Sequence, residues 1–346
     1  MSARKVEQES PARHPRETPD LFGHREAETA LLDAYRSGRI PHAWLIGGAQ
    51  GIGKATLAYR MARFVLAFRN PKSSQVQAAP TLRVDPFDPV ARQITAGAHG
   101  GLLVLERGLN DRGVMRTVIT VDETRETISF FGSTAAVDGW RVCIVDTVDE
   151  LNPNAANALL KILEEPPQQS LFLLVSHAPS RVLPTILSRC RKLLLRPLET
   201  SDVVRAATAA TDIAADDPAL AEAAAASEGS VGRALSLLGG DALKLQQRTA
   251  ALLATLPSVD PRELHALGDA LGTSDRVALA AFIDGIDRWM SERMRTGDAN
   301  ANLPRLARLA EVWEKIVRAA RDTEAYNLER KPLVFSVFSM LADATR

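Results

Sequence analysis

The sequence has very little cysteine and no long hydrophobic run. Its two cysteines, Cys143 and Cys190, each lie inside a short apolar stretch of the 346-residue chain. Two such thiols argue against a disulfide framework and favour a cytoplasmic protein, so we interpret both as small buried hydrophobic side chains. Because no apolar run reaches the roughly 18 residues that a membrane-spanning helix needs, the sequence also predicts no membrane segment.

The sequence also lacks net charge, since 42 Lys and Arg residues balance 42 Asp and Glu residues. A protein that grips duplex DNA alone usually carries a basic excess, because its affinity comes from neutralising phosphates. The balance argues against such a protein and predicts that any nucleic-acid role is shared with partners. Hydrophobic residues make up 46% of the chain, which is enough for the cores of two or three domains.

Three regions follow a charged N-terminal stretch. Met1–Asp20 has no apolar core of its own, so we predict a disordered tail and not a signal peptide. From residue 21 to residue 199, apolar runs alternate with helical patterns, which predicts an α/β domain whose parallel sheet is covered by helices on both faces. Residues 200–240 predict a small helical lid, and residues 241–346 predict an all-α C-terminal domain.

Short apolar runs locate the elements of the α/β region. Helices are predicted at Lys54–Phe68 and Asn154–Glu165, with Asn154 as the N-cap of the second. The segment Asn70–Gly101 carries four prolines and no clear period, so we predict a long loop there. The predicted strands are Ala43–Gly47, Leu102–Glu106, Val118–Val121, Arg141–Asp146, Leu171–Ser176 and Lys192–Arg196.

A glycine-rich loop joins the first predicted strand to a helix. Residues 48–55 read GAQGIGKA. In such a P-loop the glycines let backbone N–H groups approach phosphates, and Lys54 reaches the outer ones. The position that should supply a Mg²⁺-binding hydroxyl is Ala55, and Thr56 lies about 100° further round the helix. The predicted degenerate nucleotide site comprises Gly48, Gly51, Gly53, Lys54, Ala55, Thr56 and Asp146.

Two alternatives for this loop stay open besides a chance glycine-rich turn. The first is that the loop keeps the shape of a P-loop but binds little or no nucleotide. The second is weak binding of ATP or ADP through Lys54 and the glycines, without a well-ordered Mg²⁺.

A buried strand supplies the second half of the site. It ends at Asp146, the usual second Mg²⁺ anchor of a P-loop enzyme. Active enzymes carry a Glu at the next position to orient the attacking water, but here the residue is Thr147, and losing such a group typically costs about 10²–10⁴ in rate. Asp149 and Glu150 lie two and three positions later than that Glu, and we interpret them as solvated turn residues or caps.

Several longer stretches carry a resemblance. Residues 39–54 read RIPHAWLIGGAQGIGK, residues 146–167 read DTVDELNPNAANALLKILEEPP, and residues 171–190 read LFLLVSHAPSRVLPTILSRC. They resemble the P-loop entry, the Walker B stretch with its following helix, and the sensor 1 strand with the Ser-Arg-Cys motif of bacterial DNA polymerase III clamp-loader subunits, which are AAA+ proteins. Gly229–Leu235 is similar to the sensor 2 region. The resemblance is strong over about residues 21–238, and beyond them it rests on helical pattern alone.

Departures from the family pattern indicate the type of subunit. The ATP-hydrolysing gamma/tau type would carry Thr, Glu and Arg where this chain has Ala55, Thr147 and Gly232. The resemblance therefore implies little or no ATP hydrolysis by this chain. Arg189, in the intact Ser-Arg-Cys motif, would be an arginine finger acting in trans on a neighbour's ATP, and Ser176 occupies the sensor 1 position. This combination resembles the delta-prime branch of the family.

The resemblance also implies partners and a fold. The fold would be an AAA+ P-loop domain, a helical lid and a helical collar that forms the oligomer. The partners would be gamma/tau and delta subunits, the sliding clamp and primer-template DNA, within a DNA-directed DNA polymerase holoenzyme. Two alternatives remain: a self-sufficient AAA+ ATPase acting on DNA, and a regulatory module that senses ATP without hydrolysing it.

No metal site is predicted. Many relatives carry a four-cysteine zinc module after the P-loop helix, whereas Phe68–Gly101 contains no cysteine. Zinc needs about four nitrogen or sulfur ligands, so His99 alone does not make a site.

Overall fold

The computed structural model describes residues 13–108, 116, 118–132, 139–238, 241–272, 276–295, 303–326 and 328–345. The chain forms two compact units, Met1–Leu235 and Ser236–Arg346. Among the described residues, none of the helices combines the length and the apolar character that crossing a membrane requires.

A five-stranded sheet organises the first unit. All of its pairings are parallel, and the strand order is β2-β3-β4-β1-β5. The register aligns the carboxyl ends of the inner strands, since Gly47 pairs with Ser176 and Asp146 pairs with Val175. The strands are β1 (Ala43–Gly47), β2 (Leu102–Glu106), β3 (Arg141–Asp146), β4 (Ser170–Ser176) and β5 (Arg191–Leu194).

Helices cover both faces of this sheet. On one face, Trp44 and Ile46 pack with Phe64; on the other, Leu45 and Leu174 belong to a separate apolar cluster. The two-sided burial explains the continuous apolar strands. The helices between residues 25 and 237, of which α8 to α10 belong to neither of these two clusters, are α1 (Arg25–Arg36), α2 (Lys54–Ala67), α3 (Ser74–Ala78), α4 (Pro89–Thr95), α5 (Val121–Gly132), α6 (Pro153–Glu164), α7 (Pro184–Leu187), α8 (Thr200–Ala210), α9 (Pro218–Ala226) and α10 (Val231–Leu237). The predicted fold class is confirmed.

All the regular elements that the structure describes in the second unit are helices. Phe282, Ile316 and Phe338 lie in its core. The run Leu333–Leu341 contributes its apolar side chains to this core. The helices are α11 (Asp241–Ala254), α12 (Pro261–Ala270), α13 (Arg276–Arg295), α14 (Leu303–Ala325) and α15 (Arg330–Thr345).

One predicted strand, Val118–Val121, is wrong. Ile119 makes only an isolated bridge to Leu151, and α5 begins at Val121. The reason is a capping box: the Glu123 carboxylate accepts from Thr120 N and from Thr120 Oγ1 (2.9 Å). This local pair starts a helix where the β-branched residues suggested a strand.

The predicted loop Asn70–Gly101 contains two short helices, α3 and α4. Ser73 caps the first by accepting from Val76 N, and Asp88 caps the second ahead of Pro89. The helices bury apolar side chains in the same core as α2. Side-chain caps therefore order a stretch that has no long hydrophobic period.

The N-cap of α6 is Asn152 and not Asn154. The Asn152 side chain accepts from Ala155 N at 2.8 Å, and Pro153 takes the first helical position. Asn154 is exposed.

The predicted N-terminal tail lies partly outside the described residues, which begin at Arg13. The described part differs from the prediction, because Pro15–Glu17 forms a 3₁₀ helix and the carbonyls around it are bound by arginines of α2. The division of the first unit into a domain at 21–199 and a lid at 200–240 stays a prediction. Helices α8 to α10 contribute Val203, Ala224 and Ala234 to a small core of their own.

Candidate functional site

The P-loop turns from β1 into α2 at the carboxyl end of the sheet. Gly51 and Gly53 have φ angles of +74° and +99°, which residues with a Cβ rarely adopt. A Cβ on Gly51 would lie 2.4 Å from Ser230 Oγ, and one on Gly48 would lie 2.7 Å from a backbone oxygen. The glycines are therefore required by the shape of the loop as well as by access to its amides.

Lys54 is the first residue of α2, and only 3% of its surface is exposed. Its Nζ donates to Gly48 O at 2.8 Å and also to Ala49 O. Burial lowers the pKa of Lys54 to about 8, against an opposing pull from Asp146 and Asp149. A bound anion would stabilise the charged form of Lys54 and raise its pKa again, so this lysine favours the binding of an anion.

Asp146 ends β3 beside Glu106 at the end of β2, its partner in the sheet register. Burial, and after it the charge of Glu106, raises the pKa of Asp146 to about 6 against the opposing effects of Lys54 and Arg107. Protonation near pH 6 would make this carboxyl a poor ligand for a divalent cation in mildly acidic solution.

The positions that depart from an active enzyme lie close to these residues. Ala55 and Thr56 both line the cavity described below. Thr147 is 4% exposed, and its hydroxyl has no hydrogen-bond partner among the described residues. A buried hydroxyl of this kind does not take the place of a carboxylate that orients water.

Asp149 is not a solvated turn residue. Its carboxylate accepts from Ser176 Oγ at 2.8 Å, from His177 N, and from Ala178 N at 3.4 Å. Ser176, at the predicted sensor 1 position, thus donates its hydroxyl hydrogen to a nearby side chain of the same chain. These three donors fix the Asp149 carboxylate at the end of β4.

Residues of the predicted lid touch the P-loop directly. Ser230 Oγ donates to Gln50 O at 2.8 Å, and Gly232 N donates to Gly51 O at 3.1 Å. A Cβ on Gly232 would lie 3.2 Å from Gly51 Cα. The predicted sensor 2 position is therefore packed backbone against backbone, and any residue with a Cβ there would require a shift of a few tenths of an ångström. The next residue, Arg233, pairs with Glu228 at 3.7 Å.

A cavity of about 860 Å³ opens beside the P-loop. It holds six of the seven residues of the predicted nucleotide site; Gly48 is the exception, although its carbonyl binds Lys54. Sequence reasoning missed His177, which also lines the cavity and whose pKa is lowered to about 4 by burial and by Lys54. It also missed a wall formed by Arg13–Phe22. A cavity of this size suits a nucleotide-sized ligand.

Arg189 lies away from this cavity, just after α7. Its Nη2 donates to Glu164 Oε1 at 2.6 Å, and its Nη1 donates to Thr185 O at 2.8 Å and to Ser188 Oγ at 3.3 Å. About one third of the side chain is exposed. Acceptors on α6 and α7 thus hold the guanidinium in one orientation. Arg189 is not among the residues that line the cavity.

Metal ligands are not grouped in the part of the chain that the structure describes: no three His, Cys, Asp or Glu residues are placed to hold an ion. His99 instead uses Nδ1 to accept from Gly101 N at 3.0 Å.

Comparisons with known proteins bear on this site. A family model described as "DNA polymerase III, delta subunit" matches residues 23–199. A DNA polymerase III subunit delta' of Pseudomonas aeruginosa is 37% identical over 43% of this chain and 41% of its own length. A subunit delta' of Escherichia coli is 32% identical over 66% of this chain and 64% of its own length. The tau subunit of Escherichia coli is 30% identical over 70% of this chain and 36% of its own length. Each match thus spans less than two thirds of the relative.

Proposed function

Because the chain belongs to the DNA polymerase III delta-subunit family, we propose that it acts as the delta-prime subunit of a clamp loader. In this role it assembles with gamma/tau and delta subunits and helps to place a sliding clamp on primed DNA. It supplies Arg189 to the ATP site of a neighbouring subunit and hydrolyses little or no ATP itself.

One observation carries the proposal: the residues that depart from an active ATPase line or adjoin the cavity, whereas Arg189 lies outside it. The cavity combines Ala55 with a buried Thr147 and a lid packed on the P-loop through Gly232. Arg189 lies outside that cavity and keeps an ordered set of partners. An arginine that served its own chain's nucleotide would be expected at the cavity.

The partners of Arg189 support a role as a positioned donor. The bonds to Glu164, Thr185 and Ser188 use both Nη1 hydrogens and one Nη2 hydrogen. The Nε–H and the second Nη2–H then remain as donors for a phosphate on a neighbour. A charge-assisted bond from the guanidinium to a phosphate oxygen stabilises charge that develops during phosphoryl transfer.

Two ATPase measurements test the proposal against the alternatives. The isolated chain is expected to hydrolyse ATP far more slowly than about 1 s⁻¹, the lower end of the usual enzyme range. Added to gamma/tau and delta, it should raise the DNA-stimulated ATPase rate. Turnover by the isolated chain at 1 s⁻¹ or faster would favour a self-sufficient ATPase, and tight Mg²⁺-dependent ATP binding without any effect on the partners would favour a sensing module.

A further inference from the structure

The segment Arg13–Phe22 forms a wall of the cavity and precedes the region matched by the family model, which starts at residue 23. Every residue of the segment except Arg16 and Pro19 lines the cavity. The P-loop provides the end that suits phosphates, so this wall belongs to the remaining part of the space, which would take the nucleoside of a bound nucleotide.

Two buried arginines of α2 hold the segment at one side. Arg63 Nη1 donates to Thr18 O at 3.1 Å, and Arg63 Nη2 donates to Pro15 O at 3.4 Å. Arg60 donates to Pro19 O. Both arginines are 5% exposed, and buried guanidinium groups require such acceptors. Since α2 begins at the P-loop lysine, the segment is fixed to the same helix that positions the phosphate site.

The start of the segment is attached to α8 in the predicted lid. Arg13 N donates to Ala210 O at 2.9 Å. Ala210 is the last residue of α8, and the last carbonyls of a helix lack partners within it, so this bond satisfies an otherwise open acceptor. At the other end of the segment, the Arg205 guanidinium of α8 lies 4.9 Å from the centre of the Phe22 ring.

We propose that Arg13–Phe22 is a strap that ties α8 to α2 across the cavity and limits how fast a nucleotide enters and leaves. The inference rests on the proposed nucleotide site. In this proposal a ligand enters between α2 and α8, and separating these helices breaks the bond between Arg13 N and Ala210 O. Because the bond is the same before and after binding, the strap slows entry and exit together and changes the affinity little.

Stopped-flow fluorescence with mant-ADP on the full chain and four variants tests the strap. Deleting residues 1–13 removes the bond to Ala210, whereas deleting residues 1–11 keeps it and serves as the control. Arg13→Pro removes the backbone N–H, whereas Arg13→Ala keeps it and removes only the exposed side chain. The first member of each pair should exchange mant-ADP about 3- to 10-fold faster in both directions, the effect of one hydrogen bond, with Kd changed less than about 2-fold.

Each outcome decides the matter. Faster exchange confined to the deletion of residues 1–13 and to Arg13→Pro supports the strap, as does mant-ADP binding that only these two variants show. Equal rates in all five proteins would overturn the proposal. An absence of mant-ADP binding in all five would also overturn it, because there would then be no nucleotide exchange for the strap to limit. None of these rates depends on Arg189 or on partner subunits, so a failure of the proposed function would be recognised separately by ATPase and assembly assays.

Discussion

At the scale of single residues, Lys54 combines a phosphate-binding role with a pKa lowered to about 8. Near pH 8 its ammonium group is partly deprotonated in the free chain. A bound phosphate favours the charged form and raises the pKa of Lys54, so binding takes up a proton. As the pH rises through about 8, nucleotide affinity should therefore fall.

Isothermal titration calorimetry at pH 8 measures this uptake when ADP binding is repeated in buffers of different ionisation enthalpy. We expect a net uptake of a fraction of one proton, and a smaller uptake at pH 6.5, where Lys54 is already charged. Lys54→Arg is the control, because arginine stays charged throughout this range. The same uptake in that variant would show that another group is responsible.

Single residues also show where sequence reasoning reached its limit. Lys54, Ala55 and Asp146 were placed in one site by motif spacing, and the structure brings them to one cavity. His177 lies inside the stretch that resembles the sensor 1 strand, but no role was predicted for it; in the structure it follows β4 directly, and its backbone N–H donates to Asp149. The partner of Arg189, Glu164, lies 25 positions away in sequence, so no local pattern could reveal it.

At the scale of elements, long apolar runs were predictable and locally capped elements were not. β1, β2 and β3 have the predicted bounds, because strands buried on both faces read as continuous hydrophobic runs. α3, α4 and α5 were missed or displaced, because caps such as Ser73, Asp88 and Thr120 decide where they begin. Looking for a hydroxyl or carboxylate three residues before a complementary group would have found the start of α5.

The cap of α6 provides a stability prediction at this scale. Asn152→Ala removes the acceptor for Ala155 N and should lower the free energy of unfolding of the first unit by about 1 kcal/mol. Asn154→Ala is the matched control, since Asn154 is exposed on the same helix, and should change it by less than about 0.5 kcal/mol. Urea unfolding, with amide exchange in α6 to identify the unit affected, measures both. Equal effects would mean that the cap is not at Asn152.

At the scale of the whole molecule, the two units have separate apolar cores, which is the pattern of domains that fold independently. The predicted assembly surface lies in the helical C-terminal region. Because the run Leu333–Leu341 is used within that unit's own core, we expect the contact to involve other surfaces of the unit.

Deleting residues 241–346 tests whether the assembly surface lies in the helical C-terminal region. The shortened chain should no longer co-elute with gamma/tau and delta, while amide exchange shows that the sheet of the first unit stays protected. Co-elution of the shortened chain with the partners would place the assembly surface in the first unit instead.

The zero net charge and the position of Arg189 outside the cavity support the proposal of a subunit that acts through its neighbours. The central claim is that Arg189 serves a neighbour's ATP site while the chain's own site is inactive. A finger supplied in trans is worth about 10³–10⁵ in rate at the site that it serves in GTPase systems. A clamp loader has several ATP sites, and this chain would serve one of them.

The most direct measurement is clamp loading by a complex that contains Arg189→Ala, with assembly verified first. Arg181→Ala is the matched control, an exposed arginine in the same connection between β4 and β5. Arg189→Ala should lower the DNA-stimulated ATPase rate only in part and reduce clamp loading more severely. Arg189→Lys should restore neither fully, because an ammonium lacks the planar fork. An Arg189→Ala complex that assembles and loads clamps as fast as the Arg181→Ala control would contradict the account.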